Sequence, residues 1–292
     1  MSKFKVFCFG FGQVAESFIN KLIIEKKSFY LNVTSRQDTT QINFNNLRFN
    51  SYKFDSHEFD KNLLSELGEA DYILVSIPPI DGEDIVLKKF GTFFESNKKY
   101  KWITYLSATS VYGNHNGNWV TEESKTNPST PNGIERLKAE TSWKDFSLKF
   151  NLPIQIFRLA GIYSNEFNIL KRLKHGKVQV VDKKNHFFSR IHVDDIGNIL
   201  FKSLDNFKKS EIYNICDDEP ASQTAVVAYG AKLLKLNQPK AVALDKLESD
   251  MLKNFYIDSK KVDNKKMKNF FNYKLKYPTY VEGLNHIFNN VI

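Results

Sequence analysis

The chain has 292 residues, which is long enough for one large domain or two smaller ones. Hydrophobic residues make up 41% and charged residues 26%, an ordinary globular composition that excludes a disordered chain, a collagen and a coiled-coil rod. No apolar run reaches the ~18–20 residues of a membrane helix, so we expect no membrane partner. Two cysteines are too few for a disulfide framework, and no secretion signal is recognisable, so we expect a cytoplasmic protein.

The formal net charge of +9 raises the option of a nucleic-acid partner. The basic residues are spread along the chain as pairs rather than gathered into one stripe, as in Lys26-Lys27, Lys98-Lys99, Lys183-Lys184 and Lys208-Lys209. The joint abundance of Lys, Asn, Phe and Ile is typical of A+T-rich coding. The sequence therefore favours a composition bias and predicts no nucleic-acid partner, although weak steering of an anionic ligand remains an option.

Short apolar runs alternate with helical patterns over the first 160 residues. The run at 4–9 is almost continuously apolar, as is typical of a parallel strand buried on both faces. The strands predicted in chain order are 4–9, 29–35, 48–54, 71–77, 102–106 and 154–159. The helices predicted between them are 14–26, 59–67, 85–94 and 133–150. This alternation predicts an α/β fold with a Rossmann-type, doubly wound parallel sheet.

The pattern changes after about Tyr163. The elements predicted from there are a helix at 167–176, a short β element at 177–188, a helix at 193–204, a strand at 212–216, a helix at 221–236 and a basic amphipathic helix within 260–292. We therefore predict a dinucleotide-binding Rossmann domain over 1–165, which residues 191–217 rejoin. Residues 166–292 are predicted to form mainly a smaller C-terminal α+β lobe that binds the substrate.

The first strand ends in a glycine loop of the pattern Gly10-x-Gly12-x-x-Ala15. Gly10 permits the tight turn, Gly12 lets the backbone approach a pyrophosphate, and Ala15 keeps the following helix close to the strand. The helix N-terminus favours the anion. The residues predicted to contact a dinucleotide here are Gly10, Phe11, Gly12, Gln13, Val14 and Ala15. The alternative is an ordinary tight turn between strand and helix.

The tip of the second strand bears on the choice of dinucleotide. An NAD site usually has Asp or Glu there to hold the ribose hydroxyls. This chain has Ser35 and Arg36 instead, a hydroxyl and a planar cation that suit a 2′-phosphate. The sequence therefore favours NADP as the cofactor, while the nearby Asp38 keeps NAD open. Arg36 as a solvated loop residue is the other alternative.

Four later segments extend the pattern. They are 106–113, 157–163, 190–196 and 213–220, each at the end of a predicted strand or the start of a helix. With the glycine loop, they resemble the extended short-chain dehydrogenase/reductase superfamily, in its NAD(P)-dependent epimerase/dehydratase branch. The glycine spacing and the tail are similar to those of its atypical members. The resemblance implies an NAD(P)-binding Rossmann domain, a small-molecule substrate and an oxidoreductase activity, and it is compatible with a homodimer.

The resemblance also implies that the loops at the carboxyl ends of the strands face the cofactor. The matching residues in this sequence are Ser76, Ile77, Pro78, Leu106, Leu159, Ala160 and Gly161. Asp55, after the third predicted strand, is expected to reach the adenine.

The chain departs from the family at its catalytic positions. The family uses a Ser or Thr, a Tyr as general acid/base and a Lys, but the matching positions hold Ala108, Asn132 and Arg136. An Asn amide does not exchange a proton near neutral pH, and a positioned general acid/base is typically worth ~10²–10⁴ in rate. Arg136 keeps a positive charge that suits ribose or phosphate.

Two functional hypotheses follow. The first is an epimerase- or reductase-like oxidoreductase for a small, sugar-derived or anionic substrate, with its chemistry rebuilt around Ser107, Thr109, Tyr112 or Tyr163. Tyr163 and Arg190 are expected to contact that substrate. The second is a dinucleotide-binding sensor or scaffold that has lost the redox chemistry. The histidines and cysteines lack ligand spacing, so no metal site is predicted.

Overall fold

The computed structural model describes residues 3–97, 99–181, 183–247, 253 and 255–292. The strands are β1 (Phe4–Phe9), β2 (Phe29–Ser35), β3 (Thr40–Phe44), β4 (Leu47–Lys53), β5 (Tyr72–Val75), β6 (Trp102–Ala108), β7 (Trp119–Val120), β8 (Ile154–Leu159), β9 (Gly161–Tyr163), β10 (Arg190–His192), β11 (Ile212–Ile215) and β12 (Lys261–Val262). The helices are α1 (Gln13–Ile24), α2 (Leu63–Gly68), α3 (Ile85–Ser96), α4 (Pro131–Phe150), α5 (Ile169–Lys174), α6 (Val193–Lys202), α7 (Gln223–Leu233), α8 (Lys265–Phe271) and α9 (Tyr280–Val291). No helix within these described ranges has the length and hydropathy to cross a membrane.

The central sheet has eight strands in the order β11-β8-β6-β5-β1-β2-β4-β3. β1 pairs in parallel with both β2 and β5, and β5 pairs in parallel with β6. Every residue of β5 and of β8 is buried. β5 is apolar throughout, whereas β8 carries two buried polar residues, Gln155 and Arg158, which donate hydrogen bonds to Thr104 and Glu140. The carboxyl ends of β1, β5 and β6 meet at one edge of the sheet, where open α/β sheets bind ligands. The predicted α/β, Rossmann-type fold is confirmed.

The sheet ends in a hairpin that the sequence analysis missed. β3 runs antiparallel to β4, and the turn between them is Asn45-Asn46, with φ angles of 50° and 64°. Two consecutive left-handed residues form the tight turn that suits a two-residue hairpin, and Asn tolerates this conformation well. β3 is largely exposed and polar, so it lacks the apolar run on which the other strands were predicted.

Residues 177–188 do not form the predicted β element. In the described part of this span, Phe188 makes a single bridge, with Ala221, and no strand is formed. The apolar alternation has a different cause, since Val180 and Val181 pack into two different clusters of buried side chains. The apolar pattern in 177–188 therefore reflects the burial of irregular backbone and not a strand.

The chain divides into two compact units. The first comprises Met1–Ser107, Glu135–Arg158 and Ile196–Ile212, and the second comprises Ala108–Ile134, Leu159–Asp195 and Tyr213–Ile292. The return of the chain to the first unit at 196–212 lies within the span predicted to rejoin the Rossmann domain. Residues 108–134, which the sequence analysis placed in that domain, pack in the second unit.

A buried carboxylate fixes two helices of the first unit. Asp84 precedes α3 and accepts hydrogen bonds from the backbone N–H groups of Val86 and Leu87, so it caps the helix. Its other oxygen accepts a hydrogen bond of 2.8 Å from Trp143 Nε1 on α4. Burial raises the pKa of Asp84, while these donors oppose the shift. One side chain thus sets both the start of α3 and its packing on α4.

Candidate functional site

The turn after β1 is held against the end of β5. Gly10 has a φ of +84°, and a Cβ on it would lie 2.8 Å from Ser76 Oγ. The Gly10 N–H donates to Thr34 Oγ1 at 3.0 Å, and Ser76 Oγ donates to the Phe9 carbonyl at 2.9 Å. Glycine is therefore required here for conformation and for space.

Gly12 leaves open space at the start of α1. It is the N-cap residue, and a Cβ built on it meets no atom within 4 Å. No side chain caps this helix, whereas α3 and α9 each have a capping side chain. The first-turn N–H groups of α1, at Gln13, Val14 and Ala15, thus face no side-chain acceptor. An uncapped helix N-terminus behind an open glycine is suited to a pyrophosphate.

Just after β2 the chain has an arginine without a partner and an aspartate that is paired with a lysine. Arg36 is exposed, and its guanidinium makes no hydrogen bond or ion pair with the described residues. Asp38 forms an ion pair with Lys53 Nζ at 3.1 Å. Ser35 is half-buried, and its hydroxyl lies 3.5 Å from the Gln37 carbonyl. The positive side chain is therefore available to a ligand, and the negative one already has a cation.

The other predicted cofactor-binding residues of the first unit differ in whether their side chains already have hydrogen-bond partners. Asp55 Oδ1 accepts hydrogen bonds from the His57 and Glu58 N–H groups at 2.8 and 3.0 Å, which lower the pKa of the carboxyl. The Ser76 hydroxyl is used in tying β5 to the glycine turn. Ile77 is half-buried and Pro78 is exposed. Beside the turn, the chain therefore offers apolar surface rather than hydrogen-bonding groups.

Ser107 belongs to a buried polar network. Its Oγ donates to Glu140 Oε2 at 2.7 Å, and the same carboxylate accepts two hydrogen bonds from Arg158 Nε, at 3.1 and 3.2 Å. The side chains of Glu140 and Arg158 are each 4% exposed. The hydroxyl that was proposed for catalysis thus satisfies an internal ion pair.

Arg136 lies over the end of β6. One of its terminal nitrogens donates to the Leu106 carbonyl at 2.9 Å and to Tyr105 Oη at 3.3 Å. These contacts position a positive charge beside a buried leucine at the carboxyl end of the strand. Within the described residues the remaining guanidinium nitrogens make no hydrogen bond, so they are available to a ligand oxygen.

The loop after β6 contains the other catalytic candidates. Tyr112 is fully buried, and its hydroxyl donates to Asn214 Oδ1 at 2.7 Å. Thr109 is half-buried at the start of a short 3-10 turn, directly after Ala108. Asn132 is exposed in the first turn of α4. Of the candidates on this loop, Tyr112 thus has its hydroxyl bonded to Asn214, whereas Thr109 is partly accessible.

The residues that follow β8 join the second unit. Leu159 and Ala160 are buried, and Gly161 is exposed. The Ala160 N–H donates to the Ile215 carbonyl at 3.0 Å, and the Gly161 N–H donates to the Ser189 carbonyl at 3.1 Å. The N–H groups of Ala160 and Gly161 are therefore already bonded. A ligand could make van der Waals contact here, most closely at Gly161, which has no side chain.

A cavity of about 790 Å³ opens in the second unit, with cationic residues in its wall. Both predicted substrate residues, Tyr163 and Arg190, line it. The other lining residues with ionisable side chains are Glu166, Lys171, Arg172, His175, Lys177 and Tyr280. Lys171 pairs with Glu166 at 2.7 Å, so the remaining wall carries a positive excess. The sequence analysis did not predict α5 as part of this wall.

Arg190 is held rigidly in the cavity wall. Its guanidinium donates to the Phe188 and Ala221 carbonyls at 3.0 Å each and to Gln223 Oε1 at 2.9 Å. Burial lowers the pKa of Arg190, and the nearby Asp217 opposes that shift. Tyr163 packs against His192 with ring centroids 5.0 Å apart, and burial raises the pKa of its phenol. Both side chains are therefore fixed before any ligand arrives.

Solved structures with the same architecture cover nearly the whole chain. A functionally unknown conserved protein from Silicibacter pomeroyi is 30% identical, with 99% of each chain covered and a TM-score of 0.87. UDP-glucuronic acid 4-epimerase from Bacillus cereus, in complex with NAD, is 16% identical over 98% of each chain, with a TM-score of 0.76. dTDP-glucose 4,6-dehydratase from Bacillus anthracis, also in complex with NAD, is 16% identical over 99% of this chain and 96% of its own, with a TM-score of 0.76.

The family model of the NAD dependent epimerase/dehydratase family matches residues 93–216. The chain belongs to this family. No curated protein sequence matches it. As a member of the epimerase/dehydratase family, it has the fold of a dinucleotide-binding, oxidoreductase-like protein. The family resemblance inferred from the motifs is thus confirmed.

Proposed function

We propose that this protein is an oxidoreductase that uses a nicotinamide dinucleotide, prefers NADP, and acts on a small anionic or sugar-derived substrate. The observation that carries the proposal is the glycine loop, in which Gly10 is sterically required and Gly12 leaves open space before an uncapped helix. A turn with no ligand would tolerate a Cβ at Gly12 and would gain from a capping side chain there.

The residues of the first unit fit the parts of a dinucleotide. The N–H groups of Gln13, Val14 and Ala15 suit the pyrophosphate, and Arg36 with Ser35 suits a 2′-phosphate. Ile77 supplies apolar surface beside the turn, and Arg136 supplies donors for ribose or phosphate oxygens. When bound, the nicotinamide supplies or accepts a hydride.

The preference for NADP rests on the tip of β2. Arg36 has no partner in the described residues, whereas Asp38 is paired with Lys53. A ribose 2′-hydroxyl would need a free carboxylate at this position, and a 2′-phosphate needs a cation. Arginine binds phosphate oxygens through two parallel hydrogen bonds, so the arrangement favours the phosphorylated cofactor.

The substrate class rests on the cavity of the second unit. Its wall combines apolar side chains with a surplus of Lys and Arg, and Arg190 is held in a fixed orientation by three acceptors. A pocket of this size holds a small molecule, and its charge favours a phosphate or a carboxylate.

A Gly12→Asp variant tests the dinucleotide site. The added side chain has room, and Asp is a good N-cap, so the fold should be retained. Its carboxylate would repel a pyrophosphate, and we expect NADPH affinity to fall by about 100-fold or more, which corresponds to ~3 kcal/mol. Nicotinamide fluorescence titration measures it, with Gly12→Ala as the smaller control. Equal NADPH affinities of wild type and Gly12→Asp would show that the dinucleotide does not bind at the glycine loop.

Redox activity is tested by NADPH oxidation with glyceraldehyde 3-phosphate and with glyceraldehyde. Turnover that prefers the phosphorylated aldehyde by about tenfold or more, equivalent to ~1.4 kcal/mol, supports an anionic substrate. NADPH binding without any turnover would instead favour the second candidate function, a dinucleotide-binding sensor. That alternative is motivated by Ser107 and Tyr112, whose hydroxyls are committed to Glu140 and Asn214.

A further inference from the structure

The cavity of the second unit has a wall that is rich in hydrogen-bond donors and poor in acceptors. Arg172, Lys177 and Arg190 line it, and all three side chains carry only donors. Among the described lining residues, the one carboxylate is that of Glu166, which is 73% exposed and is paired with Lys171 at 2.7 Å. A ligand that fits this wall must therefore supply acceptor oxygens of its own.

Several neutral polar side chains of the wall are already bonded elsewhere. Asn168 uses its Oδ1 to cap α5 and its Nδ2 to bond two backbone carbonyls. Gln223 Oε1 accepts its hydrogen bond from Arg190. A Cβ on Gly283 would overlap Tyr163 Oη, so this hydroxyl lies against α9. A sugar needs an acceptor for each hydroxyl proton that it buries, and this wall has few to give.

Arg190 keeps donors for an anion. It is half-buried, and the three acceptors that hold it are uncharged: two backbone carbonyls and the side-chain oxygen of Gln223. A guanidinium has five N–H groups, so at least two remain without an acceptor in the described residues. Asp217 acts on the Arg190 charge from beyond ion-pair distance, and burial raises the pKa of its carboxyl, which weakens it as a counter-ion.

The rest of the wall is largely apolar. Its aliphatic and phenyl side chains are those of Ile162, Phe167, Ile169, Val226 and Leu284. Phe167 is 68% exposed, although its N–H donates to Ser164 Oγ at 3.1 Å and its carbonyl accepts from the Ser164 N–H at 3.0 Å. A ring on so fixed a backbone supplies apolar surface that a ligand would cover.

We propose that the ligand of this cavity is an organic oxyanion with an apolar body, that is, a carboxylate or a phosphate on an aromatic or aliphatic group, and not a sugar. The inference narrows the substrate class of the proposed function and rests on that function's placement of the substrate in this cavity. The oxyanion accepts hydrogen bonds from the free N–H groups of Arg190, and the apolar body covers Phe167. Arg172 and Lys177 add positive potential that attracts the anion.

Two pairs of ligands test the proposal in the absence of dinucleotide. The members of each pair share an anionic group and differ in the body: 3-phenylpropionate against gluconate, and phenyl phosphate against glucose 6-phosphate. In ligand-observed NMR titrations of wild type, the phenyl member of at least one pair should bind about tenfold more tightly or better. Uncharged 3-phenyl-1-propanol should bind about tenfold more weakly than that phenyl anion.

Three results of these titrations overturn the proposal. They are equal or tighter binding of the sugar acid in both pairs, equal binding of the uncharged alcohol, and no binding of any of these ligands. A preference for the phenyl member in one pair alone supports the proposal and identifies whether the oxyanion is a carboxylate or a phosphate.

Variants of the wall locate the binding. Arg190→Gln should weaken the preferred phenyl anion by about tenfold or more and leave 3-phenyl-1-propanol within twofold. Phe167→Ala should weaken both by about 3–10-fold. Lys174→Gln is the control, because Lys174 is an exposed residue of α5 that does not line the cavity, and it should match wild type.

Arg190 also bonds the Phe188 and Ala221 carbonyls, so Arg190→Gln could lose its fold, whereas Phe167→Ala removes an exposed ring and should keep it. Unchanged affinity in Phe167→Ala, or in folded Arg190→Gln, overturns the proposal. Because no dinucleotide is present, a phenyl anion that binds as expected but is accompanied by no NADPH oxidation activity leaves the inference standing and contradicts the proposed function. Reduction of glyceraldehyde 3-phosphate together with a preference for the sugar acids has the opposite meaning.

Discussion

Two buried charge clusters in this protein are paired to different degrees. In the first unit, the Glu140 carboxylate accepts hydrogen bonds from Ser107 and Arg158, and the network is closed. In the second unit, Lys260 has one carbonyl and a carboxylate 3.8 Å away. A closed network specifies structure, whereas an amine with unfilled donors can exchange a proton. The contrast separates a buried charge whose partners are complete from one whose pairing is incomplete.

The largest expected effect on stability is at the closed network. Glu140→Ala leaves Arg158 buried without its carboxylate, and we expect the free energy of unfolding to fall by about 3–5 kcal/mol. Urea denaturation measures the loss, with Glu135→Ala on the same helix as a control that should change stability by less than about 0.5 kcal/mol. A loss below about 1 kcal/mol would show that the network is not closed.

Acid should weaken the second unit through His192. This ring is fully buried, its Nδ1 accepts a hydrogen bond from the Asp194 N–H, and burial lowers its pKa to about 4. The folded pKa lies below the unfolded value of about 6.5, so the unfolded chain takes up the proton first as the pH falls. The contribution of His192 to the free energy of unfolding is fully present above about pH 6.5 and is lost as the pH falls towards about 4.

Between pH 7.5 and pH 5 this single histidine should account for a loss of about 2 kcal/mol. Urea midpoints at the two pH values measure the loss in wild type and in His192→Gln, in which the dependence should shrink by that amount. An unchanged pH dependence in the variant would mean that His192 is already protonated or solvated in the folded protein.

Ser107→Ala should have the smallest effect. The variant removes one of the donors to Glu140 and leaves the Arg158 bonds intact, so we expect a stability loss of about 1 kcal/mol and little change in NADPH oxidation. Thermal denaturation and the glyceraldehyde 3-phosphate assay measure the two quantities. A rate loss of about 100-fold or more without a change in stability would return the catalytic role to Ser107.

The sequence was most informative where local chemistry dictates structure. The Gly10-x-Gly12 spacing between a buried run and an amphipathic helix predicted the turn, and its steric requirement at Gly10 is visible in the structure. Spacing also placed Ala108, Asn132 and Arg136 at the end of one strand and the start of one helix. By contrast, residues 177–188 showed that burial of irregular backbone produces the same alternation as a strand.

The long-range side-chain contacts were less predictable, because the residues that form them are distant in the sequence. Lys260 lies 147 residues from Gly113, and a lysine in a basic tail gives no sign that it will be buried. Arg158 and Glu140 are 18 residues apart on different elements, so their pairing with Ser107 depends on the packing of α4 against the sheet. No role was predicted from the sequence for the basic residues of α5, two of which, Lys171 and Arg172, line the cavity.

The most direct test of the account is a parallel titration of wild type, Arg36→Ala and Arg48→Ala with NADPH and NADH. Arg48 is also exposed and lies near the opposite, amino end of β4, so it controls for loss of charge alone. We predict that wild type binds NADPH more tightly than NADH. Arg36→Ala should lose about 10–100-fold in NADPH affinity, with its NADH affinity unchanged. Arg48→Ala should have the same affinities as wild type. Preferential NADH binding that is insensitive to Arg36, or no binding of either dinucleotide, would contradict the account.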